Sequence, residues 1–278
     1  MTNRGGPDAF EVVVDPQLLF VQRLLSAIRQ APRATRALLA VNVAVFLLVA
    51  LLPHLSGVPA PMLDLAADVW RLALGAKVDA LIQGGQHWRL LTALFLHANW
   101  LHLALNLLAL NFLGQVFEGV FGTARFLAVY LASGLGSTLA SLAFTTNPSM
   151  GASGAIAGVL GGVAVFGLRH RPALVGRLRS YFVVNPLVNI AIMAALGLAV
   201  PVIDNAAHAG GLVTGVLLSL GLADRVGFRP PRRLGTRLIL GLDVVLVAAA
   251  SGCLGWGLSQ AVTGIHPATL DWLVGQVR

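Results

Sequence analysis

Residues 150–169 read MGASGAIAGVLGGVAVFGLR. From Ser153 to Leu168 the run carries no charge, and Gly154, Gly158 and Gly162 recur at every fourth position. An unbroken apolar run with small residues at helical spacing reads as a bilayer helix that neighbours approach closely. A plain anchor has no need of a serine between alanine and glycine at its mouth. About fifty-five positions later a second apolar run opens with Asp204-Asn205-Ala206-Ala207-His208-Ala209-Gly210-Gly211, and Gly211 and Gly215 repeat the small-residue spacing. If the two helices are neighbours and run the same way, Ser153 and His208 meet at one depth. A hydroxyl and an imidazole that meet can act as nucleophile and general base.

The composition fits a membrane setting. Of 278 residues, 57% are hydrophobic and 11% charged, against roughly 25% charged in soluble domains. Several runs approach the roughly 20 residues that cross a bilayer as a helix. They are continuous rather than alternating, which favours helices over a barrel. The expected fold class is an all-α polytopic membrane protein. A net charge of +8 raises nucleic acid as a partner, but the arginines cluster in short loops between apolar runs, the pattern that sets membrane orientation. No nucleic-acid partner is expected; the lipid bilayer is. The single cysteine, Cys253, excludes an intramolecular disulfide and a multi-cysteine metal site.

Seven spans are expected, at about 37–53, 95–117, 123–145, 152–168, 182–200, 205–222 and 236–260. Residues 17–30 suit a short amphipathic helix on the membrane surface. The first connection, of roughly forty residues, holds Trp70 and Trp88 and suits the lipid–water interface. With the N-terminus inside, only Arg71, Lys77, Arg89 and Arg278 lie outside, which leaves fifteen of the 19 basic residues inside. That asymmetry predicts a cytoplasmic N-terminus and an outer C-terminus in the plasma (inner) membrane. Three units are expected: a cytoplasmic segment 1–36, a six-helix catalytic membrane domain 37–222, and 223–278 as a basic loop, seventh span and short outer tail. The helices headed by Ser153 and His208 then both run inward from the outer face.

A third polar group opens the second span: His97-Ala98-Asn99-Trp100-Leu101-His102-Leu103-Ala104-Leu105-Asn106. His102 and Asn106, four apart, share a helix face, and His97 does not. Donors at His102 and Asn106 aimed near Ser153 would form an oxyanion hole, joined by the Ser153 backbone N–H. Each residue alone has a plainer reading: a helix cap for the serine, a polar anchor for a histidine, an interhelical hydrogen bond for His102 and Asn106. No carboxylate or cysteine sits at metal-ligand spacing beside them, so neither metal nor cofactor is expected. Their joint occurrence at one depth, on three helices of one direction, is what favours chemistry.

Over residues 86–222 these motifs resemble the rhomboid family of intramembrane serine proteases. The family's Gly-x-Ser-Gly is Gly151-Ala152-Ser153-Gly154, its His-x-x-x-Asn is His102 to Asn106, its Trp-Arg pair is Trp88-Arg89, and its histidine with a glycine-rich face is His208 followed by Gly210, Gly211 and Gly215. A C-terminal seventh span is similar to the family's six-plus-one arrangement. One departure is Ala157, where many bacterial members have a tyrosine that stacks on the histidine.

The resemblance implies a rhomboid-like helical bundle and a serine endopeptidase that cuts single-span membrane proteins within or beside their transmembrane segment. It implies Ser153 and His208 as the catalytic dyad, with His102 and Asn106 stabilising the oxyanion. Asp204, one turn before His208, is not expected to orient it, which makes a dyad rather than a triad. Two rivals stand beside this reading. One is a catalytically inactive rhomboid-like protein that binds membrane clients, which would lack the serine or the histidine. The other is a small transporter, which would favour internal repeats and midplane polar sites.

Overall fold

The computed structural model describes residues 15–30 and 32–226, with seven isolated positions between 245 and 259. Apart from those seven positions, the expected seventh span at 236–260 lies outside the described residues, as do the C-terminal tail and the first fourteen residues. Among the described residues the fold is helical throughout, and the only pairing of extended backbone is an isolated antiparallel bridge between Lys77 and Ser149.

Six long helical rods form the bundle: α2 (Arg33–Leu55), α6 (Trp100–Phe121), α7 (Thr123–Phe144), α8 (Ser153–Arg169), a rod made of α9 (Gly176–Arg179), a π-helical turn (Ser180–Val184) and α10 (Asn185–Ala199), and α11 (Asn205–Gly221). Among the described residues, four helical stretches are long and apolar enough to cross a membrane: Pro16–Leu55, Trp100–Phe121, Thr123–Phe144 and Gly176–Ala199. α8 and α11 have 17 residues each, or about 25 Å at 1.5 Å per residue. That is short of the roughly 30 Å hydrocarbon core, so in a bilayer one end of each lies below the surface.

Small residues set the packing. A Cβ on Gly154 would meet Ser137 of α7, and one on Gly158 would meet Ser133. On α11, a Cβ on Gly211 would meet the Gly154 carbonyl, and one on Gly215 the Gly158 carbonyl. Residue numbers rise together along the α8–α11 contact, so those two helices are parallel. Along the α8–α7 contact they run opposite, so α7 is antiparallel to both. Where side chains shrink to hydrogen, backbones come within van der Waals reach, and this closeness drives association where lipid is as apolar as leucine.

The other boundaries follow local chemistry. The second span starts at Trp100 rather than near residue 95. Ala93–Phe95 forms a 3₁₀ turn, Leu96 is extended, and Asn99 caps α6 by accepting from the His102 N–H at 2.9 Å. The cap side chain satisfies a donor that has no partner inside the helix, and so fixes the start. At the base, α2 is held by Glu118 of α6, whose carboxylate accepts from the Ala34 and Thr35 N–H groups and the Thr35 hydroxyl at 2.8–3.0 Å. A carboxylate at a helix N-terminus faces orphan donors and the positive end of the dipole.

Two surface expectations change. The N-terminal amphipathic helix is present as α1 (Pro16–Arg29), but Phe20, Leu24 and Ala27 are buried against the bundle rather than facing lipid alone. Its backbone crosses α6 at Gly119, where an added Cβ would lie 2.7 Å from the Ala27 carbonyl oxygen. The first connection has helical structure of its own. It contains α3 (Leu63–Ala73), α4 (Asp79–Gln83) and α5 (Arg89–Thr92). Lys77 and Arg89, counted above as outer charges, are fully buried. Arg89 donates to the Leu72 and Ala76 carbonyls at 2.7 and 2.9 Å and to the Gln86 side chain at 2.7 Å. A rigid guanidinium fork satisfies several loop carbonyls at once.

Candidate functional site

The head of α8 meets the head of α11. Ser153 is the first residue of α8 and His208 the fourth of α11. The His208 Nε2 lies 2.8 Å from the Ser153 Oγ, across 55 residues of sequence. Both residues are half-buried. The parallel glycine contacts place them at one level, because the same register that sets Gly211 against Gly154 brings their N-terminal neighbours together.

The loop before Ser153 has a conformation that only glycine takes readily. Gly151 has φ +129°, in the region that L side chains avoid. A Cβ there would also lie 2.7 and 2.8 Å from the His102 Cε1 and Nε2. So the His102 ring lies against the backbone of the serine motif, and Gly151 makes room for it. The Gly151 N–H donates to the Ala93 carbonyl at 2.9 Å, tying the motif to the turn before α6.

Asn106 is buried on the same helix, and its amide Nδ2 donates to the His102 carbonyl at 2.8 Å. Sequence spacing put both donors on one face. The structure uses one Asn106 amide hydrogen inside α6, and the amide group carries a second. His97 is a surprise of the fold. It precedes the helix, so the 3.6-residue count does not apply to it. The non-helical Leu96–Asn99 segment sets its ring 5.2 Å from the His102 ring, edge-on at 65°. His97 is 2% exposed.

Asp204 also plays a part that spacing did not reveal. It caps α11, accepting from the Ala207 N–H at 2.9 Å, and it accepts from the Ser141 hydroxyl of α7. It therefore orients the helix that carries His208 without touching the imidazole. The His208 Nδ1 is buried with no partner among the described residues. Ala157 is buried at 2% exposure. Ring pairs among the described residues involve His97, His102 and His170, and none involves His208.

A multi-pass helical bundle with a hydroxyl and an imidazole joined at the heads of two parallel helices defines a narrow class of membrane protein. The chain belongs to the rhomboid family: the Rhomboid domain matches residues 84–225, a little more than half of its length. It is 39% identical over 187 residues to the rhomboid protease GluP of Bacillus subtilis (strain 168), covering 67% of this chain and 35% of that protein. It is 32% identical over 171 residues to the rhomboid protease AarA of Providencia stuartii, covering 54% of this chain and 60% of that protein. RHOMBOID-like protein 2 of Arabidopsis thaliana is 41% identical over 141 residues, 50% of this chain and 44% of that protein. The chain thus spans only about a third to three fifths of the length of these relatives. The matched region holds α6, α7, α8, α10 and α11, and so the whole site described above.

Proposed function

We propose that this protein is an intramembrane serine endopeptidase that cleaves single-span membrane proteins within or beside their transmembrane segment. The 2.8 Å contact between His208 Nε2 and Ser153 Oγ carries the reading. In the proposed reaction His208 takes the Ser153 proton at Nε2 as Oγ attacks the scissile carbonyl carbon. The carbonyl oxygen becomes an oxyanion beside His102, the free amide hydrogen of Asn106 and the Ser153 N–H, which has no intrahelical acceptor at a helix start. The intermediate collapses, His208 gives its proton to the leaving amine, and an acyl-enzyme on Ser153 remains. Water, deprotonated by His208, then releases the acyl fragment and restores the serine. No carboxylate touches His208 among the described contacts, which supports a dyad.

The names of GluP and AarA as rhomboid proteases support the same activity. An inactive client-binding relative would dispense with the serine or the histidine, whereas both are present here and in contact. The charge asymmetry of the loops supports a protein of the plasma (inner) membrane with its N-terminus inside and its C-terminus outside. The site would then open toward the outer face. The test is direct. The purified full chain in detergent is incubated with a single-span reporter, and a fragment that disappears with Ser153→Ala is expected. A fragment that persists with Ser153→Ala would show that the chemistry lies elsewhere.

A further inference from the structure

We propose that Lys77 and Asp204 are positioning residues that fix the separation of Ser153 and His208 by gripping the C-terminal end of α7 from two sides. The proposal rests on the dyad reading above. Lys77 comes from the first connection and Asp204 from the turn before α11. Neither touches Ser153 or His208, and both are bound to the same last turn of α7.

The Lys77 side chain is fully buried. Its Nζ donates to the Thr145 carbonyl at 2.9 Å and to the Ser141 and Asn147 carbonyls at 3.3 Å each. The Asp79 carboxylate lies 2.6 Å from Nζ, a charge contact off the line of a hydrogen bond. Carbonyls at a helix end have no partner of their own and form the negative pole of the helix, so a buried ammonium is well placed there. The Lys77 backbone binds the segment after α7. Its N–H donates to the Ser149 carbonyl at 2.9 Å, and its carbonyl accepts from the Ser149 N–H at 3.1 Å. Ser149 is four residues before Ser153. One residue thus ties the end of α7 to the start of the serine motif.

Asp204 grips the same turn from the other side. It accepts from the Ser141 hydroxyl, and the Thr145 hydroxyl lies at 3.5 Å. Its other carboxylate oxygen caps α11, and its carbonyl accepts the His208 N–H at 3.1 Å. An anion there faces the positive pole of α11. The serine loop and the histidine helix are therefore referenced to one turn of α7, at Ser141 and Thr145. A buried lysine with no ionic role at a surface, and an aspartate that bonds two helices, are costly unless held this way. Catalysis repays such rigidity, because a shift of about 1 Å in a reacting pair costs as much as 10²-fold in rate.

The experiment reads Ser153 itself. Full-length wild type, Lys77→Met, Asp204→Ala, Asp204→Asn and Ser141→Ala in detergent are treated with a small fluorophosphonate, well below each variant's melting temperature. Phosphonylation of the Ser153 Oγ expels fluoride and needs the dyad, but no transmembrane substrate. Lys77→Met and Asp204→Ala should slow labelling on the order of 10- to 100-fold. Asp204→Asn keeps the cap through its one carbonyl oxygen and turns its amide N–H toward the Ser141 hydroxyl, which can accept it, and should restore most of the rate. Reporter cleavage should fall in kcat with little change in KM. If Lys77→Met does not fold, Ser141→Ala, which loses one hydroxyl, should still slow labelling several-fold. Folded variants that label within twofold of wild type would overturn the clamp, as would Asp204→Asn failing as badly as Asp204→Ala. Wild type that is not labelled at Ser153 would instead overturn the dyad reading, so the two failures are distinct.

Discussion

Two helices of similar apolar character, α8 and α10, sit in this protein very differently. Fourteen of the 17 residues of α8 are buried, whereas α10 buries only Pro186 and Gly197 of its 15. Leu187, Val188, Ile192, Leu196 and Leu198 of α10 all face outward. Hydrophobicity does not separate the two, and in lipid it has no reason to, since the tails are as apolar as leucine. Side-chain size separates them. α8 has Gly154, Gly158, Gly161, Gly162 and Gly167, which admit side chains or backbone of its neighbours. α10 has one glycine, Gly197, and its one such contact is the Asn205 side chain at the start of α11. Ser153, the proposed nucleophile, stands at the head of the helix that small residues lock into place.

The contrast can be broken most sharply at the head of α8. Ser153→Ala should lower reporter cleavage by roughly 10⁴-fold or more, and His208→Ala should do the same, since members of one catalytic unit fail together. Neither change should move the melting temperature by more than a few degrees. Labelling by a fluorophosphonate that survives Ser153→Ala would place the nucleophile elsewhere.

The next effect tests the lock itself. Gly211→Ala puts a Cβ against the Gly154 carbonyl, a backbone atom that cannot rotate away. Overpacking of this kind costs about 1–3 kcal/mol. Thermal unfolding should show the loss, and the labelling rate should fall with it because Ser153 and His208 are pushed apart. An unchanged melting temperature would mean that the α8–α11 contact is looser than described.

Asn106→Ala sharpens the comparison from α6. The oxyanion exists only after attack, so turnover should fall on the order of tenfold, while KM stays near wild type. A rise in KM with turnover intact would instead make Asn106 part of a substrate-binding surface.

The smallest effects belong to α10. Leu187→Ala and Ile192→Ala remove side chains that are 46% and 49% exposed. Changes at such sites usually stay within about 0.5 kcal/mol, and the rate of labelling by a small probe should stay within twofold. A large loss of labelling would show that α10 supports the dyad and that its sparse packing is misleading.

By itself the sequence determined the class of the molecule and pointed to the two groups proposed to react. Continuous apolar runs specify helices, because bilayer-spanning backbone must satisfy its own hydrogen bonds. Glycines four apart mark the faces that come together. Ser153 and His208 at the heads of two such runs were legible because a helix start is a local event, and parallel packing then does the rest. The tertiary structure alone decided what crosses between elements. That His97 lies beside His102 depends on the non-helical Leu96–Asn99 segment, which helical counting does not cover. That Gly151 leaves space for His102 depends on a loop from one helix meeting the face of another. Lys77 looked like one more outer charge, and Asp204 like a residue a turn too far from His208. Their partners are carbonyls and hydroxyls of α7, more than fifty residues away in each case. Backbone carbonyls look alike in every sequence, so which of them a buried charge will meet is settled only when the chain is packed.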